Sequence, residues 1–306
     1  MKRTLRMAAA DDVPLLVRVL AGNPVTSACV LSCLVAVDTY GLRQLHVAVA
    51  GAVAGVPWAD TATPVVDAVR WRAALPGAVG ARLAEGLRFS DAVMAALAGV
   101  TRLNLQDCGN VTDELLRRLP TSLRTLNVRG CGSLTARASF AHLSALESLD
   151  CSGTSVAAVS LPVSLQAYVG RLSVGVSLAH LSRLRVLRIQ SANLGDGMLA
   201  SLPPGLVELD VSDIFNLMAA ASFAHLRALQ TLRAAESSLG DTALMSLPPS
   251  LVYLDVRACD KLTPTAVLPP LPALRTLTVS RTKVGDTLVA SLPAGWRSCV
   301  WCGAAA

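Results

Sequence analysis

Of the 27 basic residues in this chain only Lys2, Lys261 and Lys283 are lysines, and charged residues of both signs make up just 16% of the 306. The lysine shortage is what arginine-favouring codons produce. The low charge is informative, because a globular protein of this length normally carries about a quarter charged residues. The net charge of +6 is spread out, with 9 basic against 7 acidic residues before residue 99 and 18 against 14 after it. A nucleic-acid binder concentrates its basic residues on one face or in a known motif, and no such stripe exists here. Long apolar runs are also missing. Residues 28–37 and 47–57 are the longest, too short or too interrupted against the ~20 residues a spanning helix needs. Asp11 and Asp12 precede any apolar stretch, which argues against a secretory signal. The expectation is an intracellular protein, cytoplasmic or nuclear.

Catalytic signatures are absent as well. The chain has no G-x-S-x-G and no P-loop, and its nearest approach to G-x-G-x-x-G, Gly195-Asp196-Gly197-Met198, lacks the third glycine.

What the sequence has is a repeat. Leu254-Asp255-Val256-x-x-Cys259-x-x-Leu262-Thr263 returns in altered form from Val100 onward, with central residues Leu103, Leu126, Leu149, Tyr168, Leu187, Leu209, Leu232, Leu254, Leu277 and Cys299. The steps are 23, 23, 19, 19, 22, 23, 22, 23 and 22 residues. A weaker first copy runs from Ala81 through Leu83 and Gly86 to Asp91. Alternation in Tyr253-Leu254-Asp255-Val256-Arg257 sends Leu254 and Val256 inward and the other three outward, the period of a half-buried strand. One such strand cannot cover its own inner face, so neighbours must stack. Two unit types alternate. One opens Leu-Pro-Pro (Leu202, Leu247), and the other opens Ala-His-Leu (His142, His180, His225) and later passes through Gly-Asp (Asp196, Asp241, Asp286). Asp91, Asp113, Asp196, Asp241 and Asp286 precede short helical runs, where a carboxylate is expected to accept from the free first-turn N–H groups.

The histidines and cysteines are expected to be structural. His142, His180 and His225 occupy one repeat position in alternate units, which puts neighbours roughly 10 Å apart and rules out shared coordination. Cys108, Cys131 and Cys259 fall just after the strand, and Cys151 replaces an inward valine, all places for a small buried side chain. Cys299 and Cys302 form a C-x-x-C, with no second pair or histidine nearby to complete a zinc site. No catalytic residue, metal or cofactor is therefore expected. The outward row of the strands is the candidate surface, with Arg129, Arg171, Arg188, Arg233, Tyr253 and Arg257 as its anchors.

The L-x-x-L-x-[LV]-x-x-[NC] skeleton resembles the leucine-rich repeat, and Leu103-Asn-Leu105-Gln-Asp-Cys108 its cysteine-containing class found in F-box proteins. Residues 11–75 lie outside the repeat and read as three helices, over about 12–21, 25–37 and 42–54. Val13-Pro14-Leu15-Leu16 with Val19-Leu20, then Ser32-Cys33-Leu34-Val35, Leu42-Arg43-Gln44-Leu45 and Pro57-Trp58, resembles an F-box in degenerate form.

The resemblance implies an α/β fold: a curved parallel-sheet solenoid of about 11 repeats over residues 76–302, a helical F-box-like cap over 1–75 and a tail over 303–306. It implies a substrate receptor of a cullin-type ubiquitin ligase, with Pro14, Leu15, Leu16, Val19 and Leu20 docking a Skp-type adaptor and the concave face presenting a target. The alternative is a scaffold subunit whose helices only cap the stack. Leu-Pro-Pro-x-Leu-x-x-Leu-Asp is also similar to repeats of bacterial leucine-rich-repeat ubiquitin ligases. Those need a separate catalytic domain with a reactive cysteine, and the sequence runs four residues past Cys302. A non-enzymatic protein is expected.

Overall fold

The computed structural model describes residues 54, 56–156, 161–172, 177–189, 196–214, 222–292 and 298–300. The three helices expected within residues 12–54 lie outside this set but for Ala54.

Among the described residues twelve short strands form one parallel sheet in simple sequence order. They are β1 (Pro64–Val65), β2 (Gly80–Leu83), β3 (Arg102–Asn104), β4 (Thr125–Asn127), β5 (Ser148–Asp150), β6 (Ala167–Gly170), β7 (Val186–Ile189), β8 (Glu208–Asp210), β9 (Thr231–Arg233), β10 (Tyr253–Asp255), β11 (Thr276–Thr278) and β12 (Ser298–Val300). Leu103, Leu126, Leu149, Tyr168, Leu187, Leu209, Leu232, Leu254, Leu277 and Cys299 stand side by side in register, as the spacing requires. From Leu103 to Leu277 none of them exceeds 2% exposure. Each buried leucine contributes about 1.5–3 kcal/mol, and none could be covered without the next repeat. One hydrophobic core therefore runs the length of the stack, from Trp58 to Leu288.

The sheet reaches back to Pro64, so residues 64–75 are continuous with the repeats. Helix α1 (Ala68–Ala74) places Trp71 in the core. Its Arg72 guanidinium donates to the carbonyls of Pro76, Ala78, Ala96 and Ala98, tying the first two return segments together.

On the outer side are α2 (Asp91–Ala96), α3 (Asp113–Arg117), α4 (Asp196–Ala200), α5 (Asp241–Met245) and α6 (Asp286–Ala290). The last three begin at the Gly-Asp units, 45 residues apart, whereas the return from β10 to β11 has no helix. Asp91, Asp113, Asp241 and Asp286 are first helical residues and not the caps, while the Asp196 side chain lies outside the described residues. The N-caps are the preceding Ser90, Thr112, Gly240 and Gly285, of which Ser90 and Thr112 accept an amide of the first turn. Asp113 and Asp241, each the first helical residue, instead accept the N–H and hydroxyl of Thr135 and Thr263 in the next repeat. Asp91 pairs with Arg118. Backward, the C-cap hydroxyls of Ser246 and Ser291 accept the N–H groups of Phe223 and Leu268 at 2.9 and 3.1 Å. The α5 repeat is thus clamped to the repeats on both sides, forward through Asp241 and backward through Ser246.

After β3, β4, β5, β8, β9, β10 and β11 one residue turns left-handed: Asp107, Gly130, Gly153, Asp213, Glu236, Ala258 and Arg281, with φ between 52° and 69°. At Gly130 a Cβ would lie 2.1 Å from Asp107 Oδ1, so a side chain there would force the Asp107 carboxylate to move. Among the described residues no helix is long and apolar enough to cross a membrane.

Candidate functional site

The outward residues of the strands form a face that is partly exposed from β4 onward, while at β2 and β3 Arg82 and Asn104 donate to the carbonyls of Ala62 and Thr61. One column of it is structural. At the strand ends Asn104, Asn127, Asp150, Asp210 and Asp255 each accept the backbone N–H two residues on, at 2.9–3.1 Å, which ends the strand in a side-chain turn. In β6, β7 and β9 the same column carries Val169, Arg188 and Arg233, which have no such duty.

There the face becomes an ordered charged row. Glu208 Oε1 accepts from Arg188 Nε at 2.9 Å and from Arg233 Nη1 at 2.6 Å. The Arg233 guanidinium lies 5.3 Å from the ring centre of Tyr253, within cation–π range. Beside it Arg257 grips Asp255 through Nε and Nη2. Asp255 points outward yet its side chain is only 3% exposed, because Arg257 covers it. The hydrogen bonds that Arg257 donates to Asp255, and the charge of that carboxylate, raise the Arg257 pKa above its ordinary value.

Four of the six anchors expected from sequence, Arg188, Arg233, Tyr253 and Arg257, therefore stand together on β7–β10 and the turn after β10. Arg129 and Arg171 do not join them. Both are exposed beyond β4 and β6, and among the described residues neither meets a carboxylate. Glu208, which organises the row, is visible in sequence only as one outward residue among many; its role needs the register Val186–Glu208–Thr231. Next to the row is an open concavity of about 430 Å³, whose walls include Arg129, Asp150, Val169, Arg188, Asp210 and Asp213.

The histidines and cysteines take places away from this face. His142 and His225 are partly buried, each with Nε2 enclosed and without a hydrogen-bond partner, and burial lowers the His142 pKa. His180 is exposed. Among the described residues no group of three metal-binding side chains gathers. Cys108, Cys131, Cys151 and Cys259 are buried and unpaired. Cys131 and Cys259 donate to the carbonyls of Leu105 and Ala234 in the preceding repeat, at 3.0 and 3.1 Å. Thr154, Ser237 and Thr282, at the same place in other repeats, bond carbonyls of their own turn. Burial pushes the Cys131 thiol up to about 12 and the Cys151 thiol up to about 11. These are packing groups, not thiolate nucleophiles. Cys299 lies on β12, but its side chain and Cys302 are outside the described residues.

The in-register sheet, the open outer face and the clamped return legs define a leucine-rich-repeat solenoid. No family model matches the sequence, and no curated protein matches it. Solved structures do. An internalin from Listeria monocytogenes superposes with a TM-score of 0.62 at 21% identity, over 79% of this chain and 72% of that one. A chain of the Drosophila Toll–Spatzle complex gives 0.53 at 18% identity, over 75% of this chain and 36% of that one. The leucine-rich repeat domain of APL1B gives 0.52 at 15%, over 80% and 86%. At these identities the likeness is one of fold.

Proposed function

We propose that this chain is a non-enzymatic protein-binding module that holds a polypeptide partner on its concave face. The observation that carries the reading is the row Arg188–Glu208–Arg233–Tyr253, joined by ion pairs and a ring contact on partly exposed outward strand positions. Arginine and tyrosine dominate interface energetics, and side chains ordered before binding lose less freedom when a partner arrives. The Toll–Spatzle structure is an example of this fold in a protein complex.

The test is affinity recovery of partners by the intact chain. R188E/R233E on the face is expected to abolish recovery, and R117E/R118E on the α3 side to leave it intact; the opposite pattern refutes the reading.

The finer role is that of a substrate receptor of a cullin-type ubiquitin ligase. It is supported by the F-box-like order of residues 13–58, with Pro14, Leu15, Leu16, Val19 and Leu20 as the adaptor-binding set. Recovery of a Skp-type adaptor that is lost in L16A/L20A is the expected result. Recovery of partners without any adaptor would leave the scaffold role instead.

A further inference from the structure

The charges on the face fall into two groups. Arg188 and Arg233 share Glu208, and Arg257 is held by Asp255, so three of the arginines are already matched. Among the described residues Arg129 and Arg171 have no carboxylate partner. The carboxylates around the concavity are also only part used. Asp150 and Asp210 each accept through Oδ1 alone, from Ser152 and Ser212. Among the described residues Asp213, exposed in its left-handed turn, meets no cation. Uncommitted positive charge thus sits beyond β4 and β6, and uncommitted negative charge on Asp150 of β5, on Asp210 of β8 and on Asp213 in the turn after it, so that the cations dominate one end and the carboxylates the other. Within this span the outward strand positions of β6 are Ala167 and Val169, and Arg188 of β7 is already held by Glu208.

Resting on concave-face binding as proposed above, we infer that the occupant of this concavity is a polypeptide segment carrying both signs of charge. It crosses the strands with an acidic side chain over Arg129 and Arg171 and a basic one over Asp210 and Asp213. Four strand spacings separate β4 from β8, about 19 Å. An extended segment covers that in about six residues, so the two charged side chains, an even number of positions apart, point the same way. The intervening residues are small or apolar. A polyanion such as nucleic acid is disfavoured, because it would meet the uncompensated carboxylates of Asp150, Asp210 and Asp213. Like-charge contacts of that kind act against the wrong partner.

The test uses the intact chain and dye-labelled peptides in an alanine–serine background, read by fluorescence anisotropy at low ionic strength. The peptides carry Glu and Lys about six positions apart, two Glu or two Lys; a single-stranded DNA oligonucleotide is the fourth probe. The mixed peptide is expected to bind at least about tenfold tighter than the other three. R129E/R171E is expected to switch the preference to the Lys peptide, and D210N/D213K to the Glu peptide. The amide introduced by D210N keeps an oxygen to accept from Ser212, and Arg281 shows that a long basic side chain is tolerated at the left-handed position of Asp213. Wild-type preference for a like-charged peptide or for DNA, or variants that bind without switching, would overturn the inference. If concave substitutions weaken every peptide alike, regardless of sign, only this inference fails. If R117E/R118E abolishes binding and the concave variants do not, the concave-face reading fails with it.

Discussion

Thr263 donates both its backbone N–H, at 3.0 Å, and its hydroxyl, at 2.5 Å, to the two carboxylate oxygens of Asp241 one repeat earlier. Thr135 does the same to Asp113. Asp241→Ala is expected to cost about 1–2 kcal/mol for two exposed hydrogen bonds. A urea unfolding curve checks the loss, and faster hydrogen exchange at the Thr263 amide checks its origin. Asp241→Asn, which keeps one acceptor, should fall between the two.

The raised thiol values make a second expectation. A thiol whose folded pKa lies above its unfolded one favours folding fully below the unfolded value, about 8.5. That contribution is lost as pH rises from there through about 11 for Cys151 and about 12 for Cys131. Stability should decline in that alkaline window, and Cys131→Ala should remove part of the decline. At pH 8 a thiol reagent should find Cys108, Cys131, Cys151 and Cys259 unreactive until denaturant is added.

His142 acts in the opposite direction. Burial holds its pKa below the ordinary value of 6.5, so the neutral ring is the form the fold accepts. Its contribution is present above that value and is lost as pH falls through the folded pKa. Thermal unfolding at pH 7.5 and 5.5 should show a smaller acid-induced drop for His142→Gln than for the wild type. An equal drop would show that the enclosed Nε2 has no part in acid sensitivity.

The left-handed column separates two glycine effects. Gly130→Ala combines an unfavourable φ of 69° with a collision at Asp107, and should destabilise by at least about 1–2 kcal/mol. Ala258→Gly relieves an alanine held at φ 52° and should stabilise by about 0.5–1 kcal/mol, after the greater chain freedom of unfolded glycine is subtracted. Paired chemical denaturation curves give both signs.

Tyr168 replaces leucine in the inner column where the repeat shortens to 19 residues, and its ring is fully buried. The hydroxyl donates to the Arg171 carbonyl at 2.6 Å and accepts from Cys151 Sγ at 3.3 Å. Tyr168→Phe should cost about 1–3 kcal/mol through the buried partners it leaves. Tyr168→Leu restores the residue of the other repeats yet should cost more, because it also opens a cavity. Calorimetric unfolding of the two variants ranks them.

The inner column was readable from spacing alone, because a slip of one residue would turn every leucine to solvent. The 19-residue steps on either side of Tyr168 obey the same constraint. The duties of polar residues were not readable in that way. Ser/Thr/Gly followed by Asp suits a cap at either residue, and only the position of Thr135 and Thr263 across the groove shows that the carboxylate faces the next repeat. The outward columns were legible as a surface, but matched and unmatched arginines look identical along the chain. Arg188 and Arg171 differ because Glu208 stands one strand from the first and no described carboxylate reaches the second. The residues Pro14, Leu15, Leu16, Val19 and Leu20 lie outside the described part and keep the standing of a sequence resemblance.

The two-way fastening of helical repeats in residues 222–292 sets a grammar for change in length. Asp241 needs a threonine one repeat later, and Ser246 needs a free amide one repeat earlier. Excising a single unit would bring two of one kind together and strand these groups, whereas excising a doublet of 45 residues rejoins each with an equivalent mate. Lineages of this protein should therefore grow and shrink by couplets.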